Sequence, residues 1–121
     1  MIINGREIKF LRTVKANCMI ADMCKDGEIK NLGILFDGGY RKSQETTAKF
    51  MAALSEGYET NKAFQDPEYK PHPLSVDEAL CLEDDVFADL FLEAVDVFGL
   101  EKATVETAEE PKSKKKGEAK R

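Results

Sequence analysis

Residues 75–99, SVDEALCLEDDVFADLFLEAVDVFG, decide the fold class. The stretch opens with Ser75-Val76-Asp77-Glu78, the Ser-x-x-Glu spacing of a capping box, in which each side chain satisfies a free backbone N–H of the other residue. Two helical pieces are predicted to follow, 76–82 and 84–98. The second carries Asp84 and Asp85 in its first turn, where the helix dipole favours carboxylates. Phe87, Leu90, Phe91, Ala94, Val95 and Phe98 recur at i, i+3, i+4 and i+7, so one face is apolar from end to end. Burial of each Phe or Leu on that face is worth at most roughly 1.5–3 kcal/mol, which makes this helix the expected main support of a core. Gly99 closes it.

Upstream, Pro67, Pro71 and Pro73 remove backbone donors and push their preceding neighbours to extended geometry, so 66–73 is expected to be a loop or strap. Before it, a helix is predicted over about 43–56, with Phe50, Met51, Leu54 and Tyr58 as its apolar stripe. Gly57 either ends that helix or interrupts a longer one. A helical turn at 31–36 and the break Asp37-Gly38-Gly39 precede it. Thr13 is the expected N-cap of a helix over about 14–25, with Ala16, Ile20, Met23 and Cys24 on its inner stripe and Gly27 as its stop. At the start of the chain, Asn4-Gly5 between two β-prone runs predicts a β-hairpin within 1–10, because those two residues tolerate the positive φ of a type I′ turn. Ile8 and Phe10 alternate with Glu7 and Lys9, which gives the second strand one face for a core.

The fold class expected is therefore mainly α with a short N-terminal β-hairpin, a small α+β domain spanning 1–102. At 121 residues there is room for one core. From Ala103 onward the chain has one Val, no aromatic residue and many Glu and Lys, so 103–121 is expected to be a disordered tail. The net charge is −5. Residues 101–121 hold seven Lys/Arg against five Glu, so that segment is +2 and the body before it −7. An acidic body argues against nucleic acid as the main ligand, since phosphate binding needs Lys and Arg clustered on a folded face. No run approaches eighteen apolar residues and the first ten lack the pattern of a signal peptide, so a cytoplasmic protein that does not enter membranes is expected. Cys18, Cys24 and Cys81 form no CxxC pair and are expected to be buried thiols in a reducing compartment.

Candidate chemistry is sparse. His72 lies between two prolines with no orienting group or nucleophile in a local motif, and a solvated loop histidine is the expectation. Glu83, Asp84, Asp85 and Asp89 suggest a hard-cation site, or the acids of a small hydrolase. They lack the ligand order of an EF-hand, and helix capping already explains the first three. Gly38-Gly39 lacks the spacing that cradles phosphate. No catalytic group, cofactor or metal is expected. What stands out is the last helix, which carries Val86, Leu92 and Val97 off its core-facing stripe. These three are the candidate residues for binding another protein or a second copy of the chain, unless a neighbouring helix of the same domain covers them.

The order of features carries a resemblance: the hairpin Ile2-Ile3-Asn4-Gly5-Arg6-Glu7-Ile8-Lys9-Phe10, a helix ending Ala21-Asp22-Met23-Cys24-Lys25-Asp26-Gly27-Glu28-Ile29, further helices, then the charged tail. It resembles the small tail assembly chaperones of tailed bacteriophages and prophages of Gram-positive bacteria, over most of the chain before the tail. The resemblance implies a mostly helical, non-enzymatic protein that binds the tape measure protein, keeps it soluble and helps recruit tail tube subunits. It also implies an extended form made by ribosomal frameshifting, and Lys114-Lys115-Lys116 is a place where a slippery run of adenines would fit. Competing expectations are a structural virion component of the head–tail connector or tail terminator type, and a nucleic-acid-binding regulator acting through the tail. A chain ending at Lys102 is expected to melt within a degree or two of the full chain; a loss of several degrees would show that the tail supports the fold.

Overall fold

The computed structural model describes residues 1–99. It is mainly helical with a two-stranded N-terminal hairpin. Strands β1 (Ile2–Ile3) and β2 (Arg6–Glu7) pair antiparallel, with Ile2 opposite Glu7 and Ile3 opposite Arg6. Asn4 and Gly5 turn the chain at φ 52° and 80°, the left-handed region that Asn-Gly favours. The strands are shorter than the alternation suggests, but Ile8 and Phe10 beyond them are buried in the core.

Helix α1 (Val14–Met23) starts at Thr13, whose hydroxyl accepts the Ala16 N–H at 3.1 Å. It stops at Met23, four residues before Gly27, because Cys24 leaves the helical region with ψ at 153°. A nine-residue 3-10 helix, Ile29–Asp37, takes the place of the short turn expected at 31–36. The long helix α2 (Tyr40–Gln65) extends beyond the predicted 43–56 at both ends and runs through Gly57. Helix α3 (Val76–Leu80) begins on the capping box, with Ser75 Oγ accepting from Glu78 N–H and Glu78 Oε1 from Ser75 N–H, both at 3.0 Å. Helix α4 (Asp84–Phe98) ends on Gly99 at φ 87°.

The core sits along α2. Phe50 is fully buried and meets Phe36, Phe91 and Phe98 at centroid distances of 6.3, 6.0 and 5.1 Å, with interplanar angles of 71–81°. Edge-to-face contacts of this kind add about 0.5–1.5 kcal/mol per pair to the burial term. Leu90, Ala94, Val95 and Phe98 of α4 close the cluster from one side, and Ala16, Ile20 and Cys24 of α1 from another. The last helix is also tied to the start of the chain. Arg12 donates to the Phe98 carbonyl at 2.6 Å, with its guanidinium 3.8 Å from the centre of the Phe98 ring.

The cysteines correct the expectation of three buried thiols. Only Cys24 is buried; its Sγ donates to the Ile20 carbonyl at 3.3 Å, and burial raises its pKa. Cys18 stands two residues from both Ala16 and Ile20, which on a helix is the opposite side from the buried stripe. Cys81 caps a five-residue helix where the chain turns outward.

Gly57 shows why α2 does not break. A Cβ there would lie 2.8 Å from Thr13 Oγ1 and 3.1 Å from the Ala16 Cβ, with the Leu11 carbonyl oxygen closer still. The bare Cα lets the segment before α1 lie directly on α2, where Leu11 N–H donates to the Leu54 carbonyl at 3.1 Å. The propensity cost of a helical glycine, about 1 kcal/mol, is offset by that approach. Gly57→Ala is expected to cost on the order of 2–3 kcal/mol in denaturant unfolding through overpacking. Gly33→Ala, where the added methyl meets nothing within 4 Å, should change stability by under about 1 kcal/mol. Equal effects would mean that close packing is not the function of Gly57.

Candidate functional site

Structure separates the three residues that the sequence marks on α4. Successive helical residues turn by about 100°, so Val86 and Val97, eleven apart, share one flank, and Leu92 lies some 120° or more away from both. Leu92 is 63% exposed among acidic neighbours, Val97 is 40% exposed, and Val86 is half-buried. The flank of Val86 and Val97 also carries Glu93, whose carboxylate lies 3.4 Å from the Met1 amino group. Met1 and Ile3 of the hairpin pack against the core. Val86, Leu92 and Val97 therefore do not form one continuous face.

A concave apolar surface exists elsewhere, between the first turns of α2 and the turn from α3 to α4. It is a groove of about 320 Å³ lined by Tyr40, Arg41, Gln44, Glu45, Leu80, Leu82, Asp84 and Phe87. Gly39 at φ 90° lets α2 start abruptly, and this leaves Tyr40 74% exposed on the groove wall. Leu80 faces it from the last residue of α3 and is 42% exposed. The rim is charged. Arg41 and Glu45 pair at 3.5 Å, but Arg41 is almost fully exposed and the pair is worth little. Asp84 lies in the lining and Glu83 and Asp85 beside it, all exposed and none in an ion pair among the described residues. Aromatic and leucine walls under an acidic rim suit an apolar side chain flanked by a cation, or the aliphatic stem of a lysine with its ammonium at the rim.

The proline-rich strap leads into α3, whose last residue, Leu80, lines the groove. Ser55 Oγ accepts the Leu74 N–H at 2.8 Å, and the buried Glu59 carboxylate accepts the His72 N–H at 2.9 Å and the Tyr69 hydroxyl. These bonds compensate the burial of a carboxylate on α2 and fix the strap, and with it α3, against the long helix. Arg6 of the hairpin completes the arrangement by donating to both Glu78 oxygens at 3.0 and 3.3 Å and to His72 Nε2 at 3.0 Å. His72 thus sits beside a guanidinium, and among the described residues no Ser, Thr or Cys side chain hydrogen-bonds to it. Among the described residues, no three metal-ligating side chains converge, the acidic residues at 83–89 included, and no helix is long and apolar enough to cross a membrane.

No family model, no curated protein and no solved structure matches the chain. The functional reading consequently rests on the groove and on the order of sequence features.

Tyr69 of the strap and Glu78 of α3 carry shifted pKa values. The Arg6 guanidinium, with help from the Ser75 N–H, holds the Glu78 carboxyl below the usual range. The Glu59 carboxylate accepts a hydrogen bond from the Tyr69 hydroxyl and pushes Tyr69 up from 10.0 to about 12. Because the folded state favours the neutral phenol, this contribution to stability is complete below pH 10 and is lost as pH rises toward about 12. Wild type should therefore lose stability over that window in a urea titration, and Tyr69→Phe should lose less. Parallel curves for the two proteins would show that the hydrogen bond to Glu59 does not stabilise the neutral phenol in the folded state.

Proposed function

We propose that this chain is a tail assembly chaperone that binds the tape measure protein in the cytoplasm of a bacterial host, keeps it soluble and promotes assembly of the tail tube around it. The observation that carries the reading is the groove between α2 and the α3–α4 turn: an open, largely apolar cleft on a body of net charge −7. Helical clients present amphipathic segments whose apolar anchors require such a surface, and an acidic body keeps the pair in solution through net repulsion between complexes. The order of hairpin, helices and charged tail supports the same reading. On this basis the client contact belongs to Tyr40, Leu80 and Phe87, with Leu92 and Val97 of α4 available to the tail tube protein or to a second copy.

Co-expression with a long helical tape measure protein tests it. Affinity capture of that client, together with its transfer from the pellet to the soluble fraction, is expected. Tyr40→Lys with Leu80→Lys should reduce capture by about tenfold or more, corresponding to the loss of two anchor contacts of roughly 1 kcal/mol each. Capture unaffected by these changes but abolished by Leu92→Lys and Val97→Lys would move the client to α4. No capture, with the chain found in finished particles, would favour the structural virion component.

A further inference from the structure

We propose that the groove between α2 and the α3–α4 turn selects one kind of client segment: an amphipathic helix whose apolar stripe is bordered on both sides by lysine or arginine. The proposal rests on the groove being the client site and adds the chemistry by which a segment is chosen there. Both walls combine apolar surface with a carboxylate. Tyr40 and Glu45 stand on the α2 side, and Leu80, Leu82, Phe87 and Asp84 on the other. Glu83 and Asp85 are exposed beside Asp84. Helix capping does not use up these charges. Glu83 occupies the N-cap of α4 without a side-chain capping bond, and of the three only Asp85 makes a side-chain hydrogen bond among the described residues, to the Val86 N–H at 2.9 Å.

The sign of the rim decides the client. Glu45, Glu83, Asp84 and Asp85 bring four negative charges, and Arg41 brings one positive. The N-termini of α2 and α4 open at the groove and add about half a positive charge each, which still leaves the rim at about −2. An anionic segment is therefore repelled, as is a second copy of a body that itself carries −7. A cationic segment is attracted, and the one cation in the lining yields to it easily. Arg41 is almost fully exposed and holds Glu45 at 3.5 Å as an i,i+4 surface pair, so a client ammonium replaces it at little cost. The lining comes entirely from helices and the turn between α3 and α4, so it offers no strand edge, and a client there must satisfy its own backbone hydrogen bonds. A helix does so, with anchors at i, i+3, i+4 and i+7 entering between Tyr40 and Leu80. Lysine or arginine beside those anchors lays its aliphatic stem on the apolar walls and carries its charge to Glu45 on one border and Asp84 on the other.

Fluorescence anisotropy of the full chain with two labelled synthetic helices of about eighteen residues, five turns, provides the test. Both helices carry leucine at i, i+4, i+7 and i+11; one borders the leucines with lysine, the other with glutamate. The lysine helix is expected to bind about tenfold or more tighter at about 0.05 M salt, and the difference should shrink to about twofold at about 0.5 M, where the Debye length falls to a few ångströms. Arg41→Gln removes the competing cation and should tighten the lysine helix by about twofold to fivefold, a gain that misfolding cannot imitate. Tyr40→Ser with Leu80→Ser should weaken it by about tenfold or more. Equal binding of the two helices would overturn the proposal, as would binding of neither. Lysine-helix binding that survives Tyr40→Ser with Leu80→Ser would place the contact elsewhere on the acidic body and overturn it too. Capture of the tape measure protein that depends on Tyr40 and Leu80, together with equal binding of the two helices, would leave the chaperone reading standing and remove the charge selection. Selective binding of the lysine helix at the groove by a chain that captures no tape measure protein would leave the selection standing and remove the chaperone reading.

Discussion

The fold depends on one close approach, that of the Leu11–Ala16 segment to the bare face of α2 at Gly57. Leu11 donates to a carbonyl within the long helix, and this fixes the start of α1 before any side chain of α1 is considered. Once α1 lies there, Ile20 and Cys24 reach the core that Phe50 centres, and Arg12 reaches the end of α4. A side chain at 57 would separate the helices and loosen all three contacts, because close-packed interiors have no slack to absorb a displaced element.

Helix α2 also carries the polar side of the structure. Ser55 and Glu59, about one turn apart on it, are buried polar residues whose partners come from the strap and the residue that follows it and not from the helix itself. Their hydrogen bonds are specific where apolar packing is not, so they set the register of the strap, and the capping box then starts α3 in a defined place. The groove follows from this: its Leu80 wall stands where α3 ends, and its Tyr40 wall where Gly39 lets α2 begin.

Much of this was legible in the sequence. Thr13, Ser75-x-x-Glu78 and Gly99 act through local hydrogen bonds and local φ preferences, and a single chain segment displays them in full. The α4 stripe was legible because burial of one face imposes a 3.6-residue period. The length of α2 was not, since the end of the helix is polar and Gly57 has the sequence signature of a stop; only the approaching Leu11 reveals its purpose. The groove was not legible either. Its walls come from residues 40–45 and 80–87, and neither segment shows an unpaired apolar face until the two are brought together. Val86, Leu92 and Val97 illustrate the reverse case, in which apolar residues of one helix are divided by the helical turn, Val86 and Val97 on one flank and Leu92 away from both.

The tie between Arg12 and Phe98 bears on the order of events during synthesis. Arg12 leaves the ribosome early, but its carbonyl partner and the ring beneath its guanidinium belong to the last helix, 86 residues later. The Met1 amino group waits similarly for Glu93. The beginning of the chain cannot be completed until its end has emerged, so the body closes late and in one cooperative step, and a nascent chain halted before α4 exposes the unfinished core.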